Sequence, residues 1–329
     1  MNHAIFFKAV KSIFLSDNYF SMLKHYIHLH FLVLLFGFTA ILGKLIQIES
    51  LPLVTYRTLI GGLGIAVLML LSGRSLRIGW RHLWQPLLVG IVVGLHWFCF
   101  FHAVKVSNVS VTLGCMASST LFTALIEAFA ARRSPSRLEL GVSCCIMLGL
   151  YVLTRFAFHY YLGVFYALLA AFLASLFAVC NSYLTKRHDP LAISFFEMIS
   201  ACLIIGAVAW YSGTLPPPSK VLVSDWQYLL VLAIACTSYA FAAMVYLMRH
   251  LSAFDVTLAI NMEPIYGIIL AWSIFGESEQ MDGGFYVGAA IIIASVLGYP
   301  WYQMKQRKAE QNTPSQLILQ QDEASNTSQ

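Results

Sequence analysis

Ten apolar runs, each close to twenty residues long, dictate what this chain can fold into. They lie near residues 28–47, 51–72, 85–104, 107–129, 138–157, 161–184, 190–212, 226–248, 253–275 and 282–302. A bilayer core about 30 Å thick is crossed by roughly 20 residues of α-helix, so each run is one span. The connections between them are short, as between packed neighbouring helices, and hold no soluble domain. Only 11% of the residues are charged and 59% are hydrophobic, against about 25% charged in a soluble globular protein. A soluble enzyme and a disordered chain are excluded on that ground. The runs also lack the residue-by-residue alternation of a membrane β-barrel.

Ten spans put both termini on one side. Of the 20 Lys and Arg residues, Lys105, Arg155 and Lys220 fall on the opposite side, and Lys44 and Arg57 fall inside spans; the other fifteen lie on the side of the termini. By the positive-inside rule that side is the cytoplasm. The formal net charge of +5 is therefore topogenic and does not indicate nucleic-acid binding. The expected location is the plasma membrane, or the inner membrane of a Gram-negative cell. Residues 1–26 are too polar for a span and lack a small-residue cleavage site. They read either as an interfacial amphipathic helix or as sequence upstream of a start at Met22, with Met22 slightly favoured. The tail, residues 303–329, is rich in Gln, Ser and Asn and is expected to be disordered. All seven cysteines sit within spans without metal-site spacing. No phosphate-cradling loop, metal motif or nucleophile elbow is present, so no cofactor is expected.

The chain repeats itself weakly. Ser107–Leu113 (SNVSVTL) aligns with Ser252–Leu258 (SAFDVTL) at an offset of 145, and each opens a span, the fourth and the ninth. Pro52 near the second span has a counterpart in Pro190 at the seventh. A unit of five helices enters the membrane the second time from the other side. The expected fold is an all-α polytopic membrane protein of ten transmembrane helices, built as two inverted five-helix repeats, 27–157 and 158–302. Secondary carriers use this plan, with a site near the midplane between halves that alternate access.

In detail the sequence resembles the EamA-type ten-helix carriers of the drug/metabolite transporter superfamily. The resemblance rests on Gly37–Lys44 (GFTAILGK), Tyr56-Arg57, His96-Trp97-Phe98, Phe100-Phe101, Ser107–Ser110 (SNVS), Asn261–Pro264 (NMEP) and Phe275-Gly276-Glu277. It runs from about residue 27 to 302. The family often carries a proline in the middle of helix four as in helix nine, whereas this chain has Ser118-Ser119-Thr120 there. A pivot is therefore expected at Pro264 and not in the first half.

Charges within spans are costly and need a partner or a wet cavity. Lys44 reads as a snorkelling cation or a pathway residue, and Arg57, deeper, as a fork of donors suited to a carboxylate or phosphate. Glu263 lies near the midplane, where Pro264 frees a carbonyl from helical bonding, and suits reversible protonation. The offset of 145 sets Ser118, with Ser119 beside it, opposite Glu263. Glu197, about two turns in from the cytoplasmic side, reads as a coupling group or as glue between helices. His96 and Asn261 either line the pathway or pack. The aromatic run Trp97, Phe98, Phe100 and Phe101 reads mainly as packing or lipid-facing surface. Gly90-x-x-x-Gly94 suits close packing within the bundle, and Gly284-x-x-x-Gly288 a homodimer contact.

The expected function is that of a secondary transporter in the lipid bilayer that moves a small-molecule substrate by alternating access. The resemblance implies export of small polar metabolites such as amino acids; the buried residues themselves suggest proton coupling through Glu263, with Pro264 and Glu197 as further coupling or gating residues. The alternatives are a membrane enzyme acting on a lipid-linked substrate and a non-transporting sensor or assembly protein; neither requires a repeat or a midplane carboxyl.

Overall fold

The computed structural model describes residues 17–75, 78–155, 158–279 and 282–311. Each apolar run forms a helix. In chain order they are α1 (Asp17–Leu45), α2 (Ser50–Leu71), α3 (Trp84–Val106), α4 (Val109–Ala130), α5 (Arg137–Arg155), α6 (Tyr161–Leu184), α7 (Pro190–Tyr211), α8 (Val223–Leu247), α9 (Ala253–Phe275) and α10 (Gly283–Gln311). The described residues contain no strand. Helices α1–α4 and α6–α9 contain the eight segments long and apolar enough to cross a membrane, and Gly283–Ser295 of α10 is a further apolar stretch. Helix α10 continues past residue 302 to Gln311. The tail beyond it, and residues 1–16 of the N-terminal segment, lie outside the described residues.

Polar residues at the run boundaries set the helix ends. Asn108 caps α4 by accepting from the Val111 amide at 2.8 Å, and Ser252 caps α9 by accepting from the Asp255 amide at 3.0 Å. Asp189 caps α7 just ahead of Pro190, whose missing N–H costs nothing in a first turn. Helices α2 and α7 end alike. Gly73 and Gly213 turn into the left-handed region (φ 63° and 68°), and the amides of Arg74 and Thr214 reach back to the carbonyls of Met69 and Ala209 at 3.0 Å each.

The packing repeats under exchange of the halves. Helix α3 lies against α6 and α7 as α8 lies against α1 and α2. The second part of α4 meets α6 as the second part of α9 meets α1. The contacts α2–α7 and α5–α10 map onto themselves. Two five-helix repeats of opposite sense produce this pattern. The caps and helix boundaries align at 144, one residue less than the Ser107/Ser252 match (Asn108 with Ser252, Ser119 with Glu263). Ser119, and not Ser118, is therefore the structural counterpart of Glu263.

Glycines set the closest crossings. At Gly90 a Cβ would stand 2.5 Å from the Glu197 carbonyl oxygen, so α3 and α7 touch backbone to backbone, within the bundle as expected. Gly288 of the second glycine motif is buried, and its carbonyl would lie 2.9 Å from a Cβ at Gly149. That glycine therefore serves the α5–α10 contact; the motif is not a free dimer face.

Both α4 and α9 are broken in mid-membrane. Helix α4 interrupts between Val109–Met116 and Ser119–Ala130, and α9 between Ala253–Ile260 and Glu263–Phe275. The expectation of a pivot in the second half alone is corrected. In both helices the amides at the break reach back three residues: Ala117 to Gly114, Ser118 to Cys115, and Met262 to Ala259.

Candidate functional site

Between the halves lies a cavity of about 80 Å³, lined from α1, α2, α3, α4, α6, α8 and α9. Three polar side chains among its walls are Arg57 from α2, His96 from α3 and Glu263 from α9, and Thr39 of α1 adds a hydroxyl. Trp97, Phe100, Phe177 and Phe241 form an aromatic wall. Met116 and Ile260, which precede the two helix breaks at the matched offset of 144, also face it.

Arg57 is among the largest fully buried side chains, at 1% exposure. Its Nε donates to Thr237 Oγ1 at 2.7 Å and Nη2 to the Cys236 carbonyl at 3.5 Å. The guanidinium lies 4.0 Å from the centre of the Trp97 ring and 5.3 Å from that of Phe101, a cation–π arrangement that offsets part of its lost hydration. Its Nη1 has no hydrogen-bond partner. The groove that receives it comes from a π-helical turn, Ile234–Tyr239, in the middle of α8. There the hydroxyls of Thr237 and Ser238 donate to carbonyls five residues back, Leu232 at 2.9 Å and Ala233 at 3.1 Å. Ser238 also donates to the Gly61 carbonyl on α2. One extra residue in the turn brings the Thr237 hydroxyl and the Cys236 carbonyl to the arginine. Turns of this kind concentrate at functional sites.

Glu263 opens the second part of α9 and is 7% exposed. Pro264 follows in the first turn, where it forfeits no internal bond but denies the Ile260 carbonyl its usual donor. Glu263 and Arg57 come from opposite halves and are near enough for their charges to interact. Among the described residues they form no ion pair. His96 donates from Nδ1 to the Ala170 carbonyl at 2.8 Å, which leaves Nε2 as the acceptor of the neutral ring. It packs edge-on against Phe177 at 5.3 Å.

The remaining expected residues fall elsewhere. Ser118 and Ser119 are buried but do not line the cavity. Ser118 Oγ donates to the Cys115 carbonyl at 2.8 Å, and the Ser119 carbonyl accepts from Ser175. Asn261 donates from Nδ2 to Thr120 Oγ1, tying one helix break to the other. Lys44 stands at the end of α1 with its ammonium 4.3 Å from the Phe275 ring centre, away from the cavity. Glu197 is fully buried in α7, outside the cavity wall. Of the aromatic run, Trp97 and Phe100 turn to the cavity and Phe101 is fully buried, so the helix directs these three inward and not to lipid. Thr237 was not among the expected residues; its signal is the polar pair Thr237-Ser238 inside an otherwise apolar span.

At the face opposite the termini, the Asp225 carboxylate, 1% exposed, accepts from the amides of Gln47 (3.1 Å) and Ile48 (3.2 Å). The Tyr56 hydroxyl donates to the Pro216 carbonyl at 2.5 Å. At the face of the termini, Arg74 and Asp189 form an ion pair at 2.9 Å, and His25 stacks on His250 with ring centres 4.4 Å apart. Both faces are thus joined across the two halves, with the cavity between them.

No curated protein matches the sequence. A solved structure described only as "Crystal structure of protein" superposes with a TM-score of 0.63 at 18% identity, over 83% of this chain and 95% of its own, a likeness of fold. The EamA-like transporter family matches twice, over residues 24–155 and 161–299. Those two segments take in the five helices of each half, and this chain of two inverted repeats belongs to the EamA-like transporter family.

Proposed function

We propose that the chain is a secondary carrier of the plasma membrane, with both termini cytoplasmic, that exports small polar metabolites such as amino acids in exchange for protons. Family membership makes it a membrane transporter; substrate, direction and coupling are the further steps. The observation that carries substrate and coupling is the cavity itself, where Arg57 and Glu263 approach from opposite halves without pairing, and the direction follows the resemblance to exporting carriers. A dipolar molecule placed between them meets a cation and a carboxylate at once. Arg57 retains an unmet donor in Nη1 for a carboxylate oxygen. Glu263, protonated or ionised, alternates between neutral host and counter-charge, so proton binding and substrate binding compete. The orientation rests on the cation bias of the loops.

The test is transport in proteoliposomes, with a labelled amino-acid mixture as probe and an imposed pH gradient. Glu263→Gln, which fixes the neutral form, abolishes gradient-driven accumulation and leaves substrate exchange in place. Driven accumulation at the wild-type level in Glu263→Gln removes Glu263 from the coupling. Cells lacking the protein retain the exported metabolite, which an untargeted metabolite comparison identifies.

A further inference from the structure

Glu197 is a buried carboxyl that the cavity does not use. It sits seven residues after α7 begins at Pro190, fully buried, where α3 presents Gly90. From α6 the side chain of Asn181, also fully buried, is set against it. The two side chains are close enough to share a hydrogen bond, yet neither carboxyl oxygen of Glu197 and neither polar atom of the Asn181 amide completes one with full geometry. Among the described residues ten buried side-chain atoms are left in this way, and this pair accounts for four of them. Such a concentration calls for a chemical explanation.

An ionised carboxylate does not supply one. It can accept from Asn181 Nδ2 but has no hydrogen to offer Asn181 Oδ1, and the charged and titratable groups on the elements packed around α7 are engaged elsewhere. Arg57 on α2 is held by Thr237 and Trp97, and His96 on α3 by Ala170. Tyr246 on α8 packs edge-on against His250. Cys180 on α6, whose thiol interacts with Glu197, brings no positive charge. At the nearby face Arg74 is paired with Asp189, and Arg249 donates to the carbonyls of Thr185 and His188 at 2.9 Å each. A carboxylic acid does account for the pair. With a small adjustment of the two side chains its O–H would donate to Asn181 Oδ1 while its carbonyl accepts from Asn181 Nδ2, a cyclic acid–amide pair that would use all four atoms with no net charge.

We propose that Glu197 is a second proton-binding site, which holds a proton against Asn181 while the cytoplasmic face is sealed and releases it when that face opens. The proposal rests on the carrier reading above. The step is simple: the Glu197 carboxylic acid becomes a carboxylate, the proton passes to cytoplasmic water, and no other bond changes. The seal that precedes it is built across the two halves by Arg74–Asp189, His82–His188 and His25–His250. While those contacts hold, water is kept from the pair; when they part, the carboxylate is hydrated and the proton leaves. For an exporter, release on this side makes inward proton flow accompany outward substrate flow.

The test is infrared spectroscopy of the full-length protein in liposomes at neutral pH, without substrate. Wild-type protein shows a protonated-carboxyl carbonyl band that disappears in Glu197→Gln and persists in Glu263→Gln. Asn181→Leu, which keeps the acid and removes its partner, shifts that band instead of abolishing it, so a folding defect in one variant does not decide the outcome. Arg74→Ala, which removes the ion pair of the seal, diminishes the band at the same pH. A spectrum unchanged by Glu197→Gln shows that Glu197 is ionised and overturns the site. A band insensitive to Arg74→Ala overturns the link to opening. Because no transport is measured, a failed carrier reading shows separately, as a Glu197 band present in a protein that moves no substrate.

Discussion

Helices α4 and α9 have one geometry and two chemistries. Each breaks at the same place in its repeat, yet α9 carries Glu263-Pro264 there and α4 carries Ser119-Thr120. Proline is therefore not what breaks these helices, because α4 breaks without one. What the two share is that each helix closes its first part with three-residue bonds and starts afresh. Asn261 Nδ2 donating to Thr120 Oγ1 fixes the two breaks to each other. Symmetry supplies the hinge twice, and charge is placed on one side only. On the proposed coupling, that asymmetry leaves proton binding to one half while the other serves as its mechanical mirror.

The strongest way to break the comparison is to give α4 the charge of α9. Ser119 is the counterpart of Glu263, but it is 3% exposed and off the cavity wall. Ser119→Glu places an unpaired acid in a packed seam, and destabilisation of about 3–5 kcal/mol is expected, the scale of an uncompensated buried charge. Thermal unfolding in detergent reads it. A Ser119→Glu protein as stable as wild type shows that the cavity does not decide where a carboxyl is tolerated. A smaller effect is expected from Asn261→Leu, which orphans the Thr120 hydroxyl and costs about 1–3 kcal/mol. Adding Thr120→Val removes the orphan and restores part of that loss; simple additivity in the double variant means that the two breaks are not coupled through this bond. Smaller again is the effect of the proline. The Ser119 amide makes no backbone bond across the break, so Ser119→Pro and Pro264→Ala each shift stability by less than about 1 kcal/mol. A kink lost in Pro264→Ala, seen as an altered spin-label distance across α9, restores proline as the cause.

Much of this plan is legible in the sequence because bilayer thickness converts run length directly into helices. Arg57 and Glu263 are legible for the same reason, since a charge within an apolar run has to be accommodated. What hides is facing. These helices are apolar on nearly every side, so no stripe marks which side of α3 turns inward, and Trp97 and Phe100 pass for lipid-facing aromatics. Ser118 is misplaced because four identities at an offset of 145 mask the shift to 144 that the caps reveal. Lys44 lies near its span's end, where depth alone does not separate a pathway residue from one resting on Phe275. The π-helical turn has no pattern of its own; only two hydroxyl residues in an apolar run hint at the place where Arg57 docks.

The smallest expected effect separates the two ends of the molecule. Helix α4 begins at the face opposite the termini, where Asp225 and Tyr56 join the halves without a histidine in those bonds. Helix α9 begins at the face of the termini, beside His250 and His188. Burial pushes His188 below its ordinary 6.5, and the facing His82 and Arg187 push the same way. His250 is lowered by burial, then by His25 and Arg249. A lowered histidine favours the neutral ring in the sealed form. Its contribution to the seal is therefore complete above pH 6.5 and is lost as the pH falls through the lowered value. A cysteine placed at Ser194, buried one turn before Glu197, reports the opening. Its labelling from the side of the termini rises by about twofold as that side is taken from about pH 7.5 to 5.5, the scale of exposed charge pairs. His188→Gln with His250→Gln flattens the response, and acidifying the other side leaves it unchanged. An equal response to acid from either side means that the two ends open by the same chemistry, and the asymmetry is then confined to Glu263.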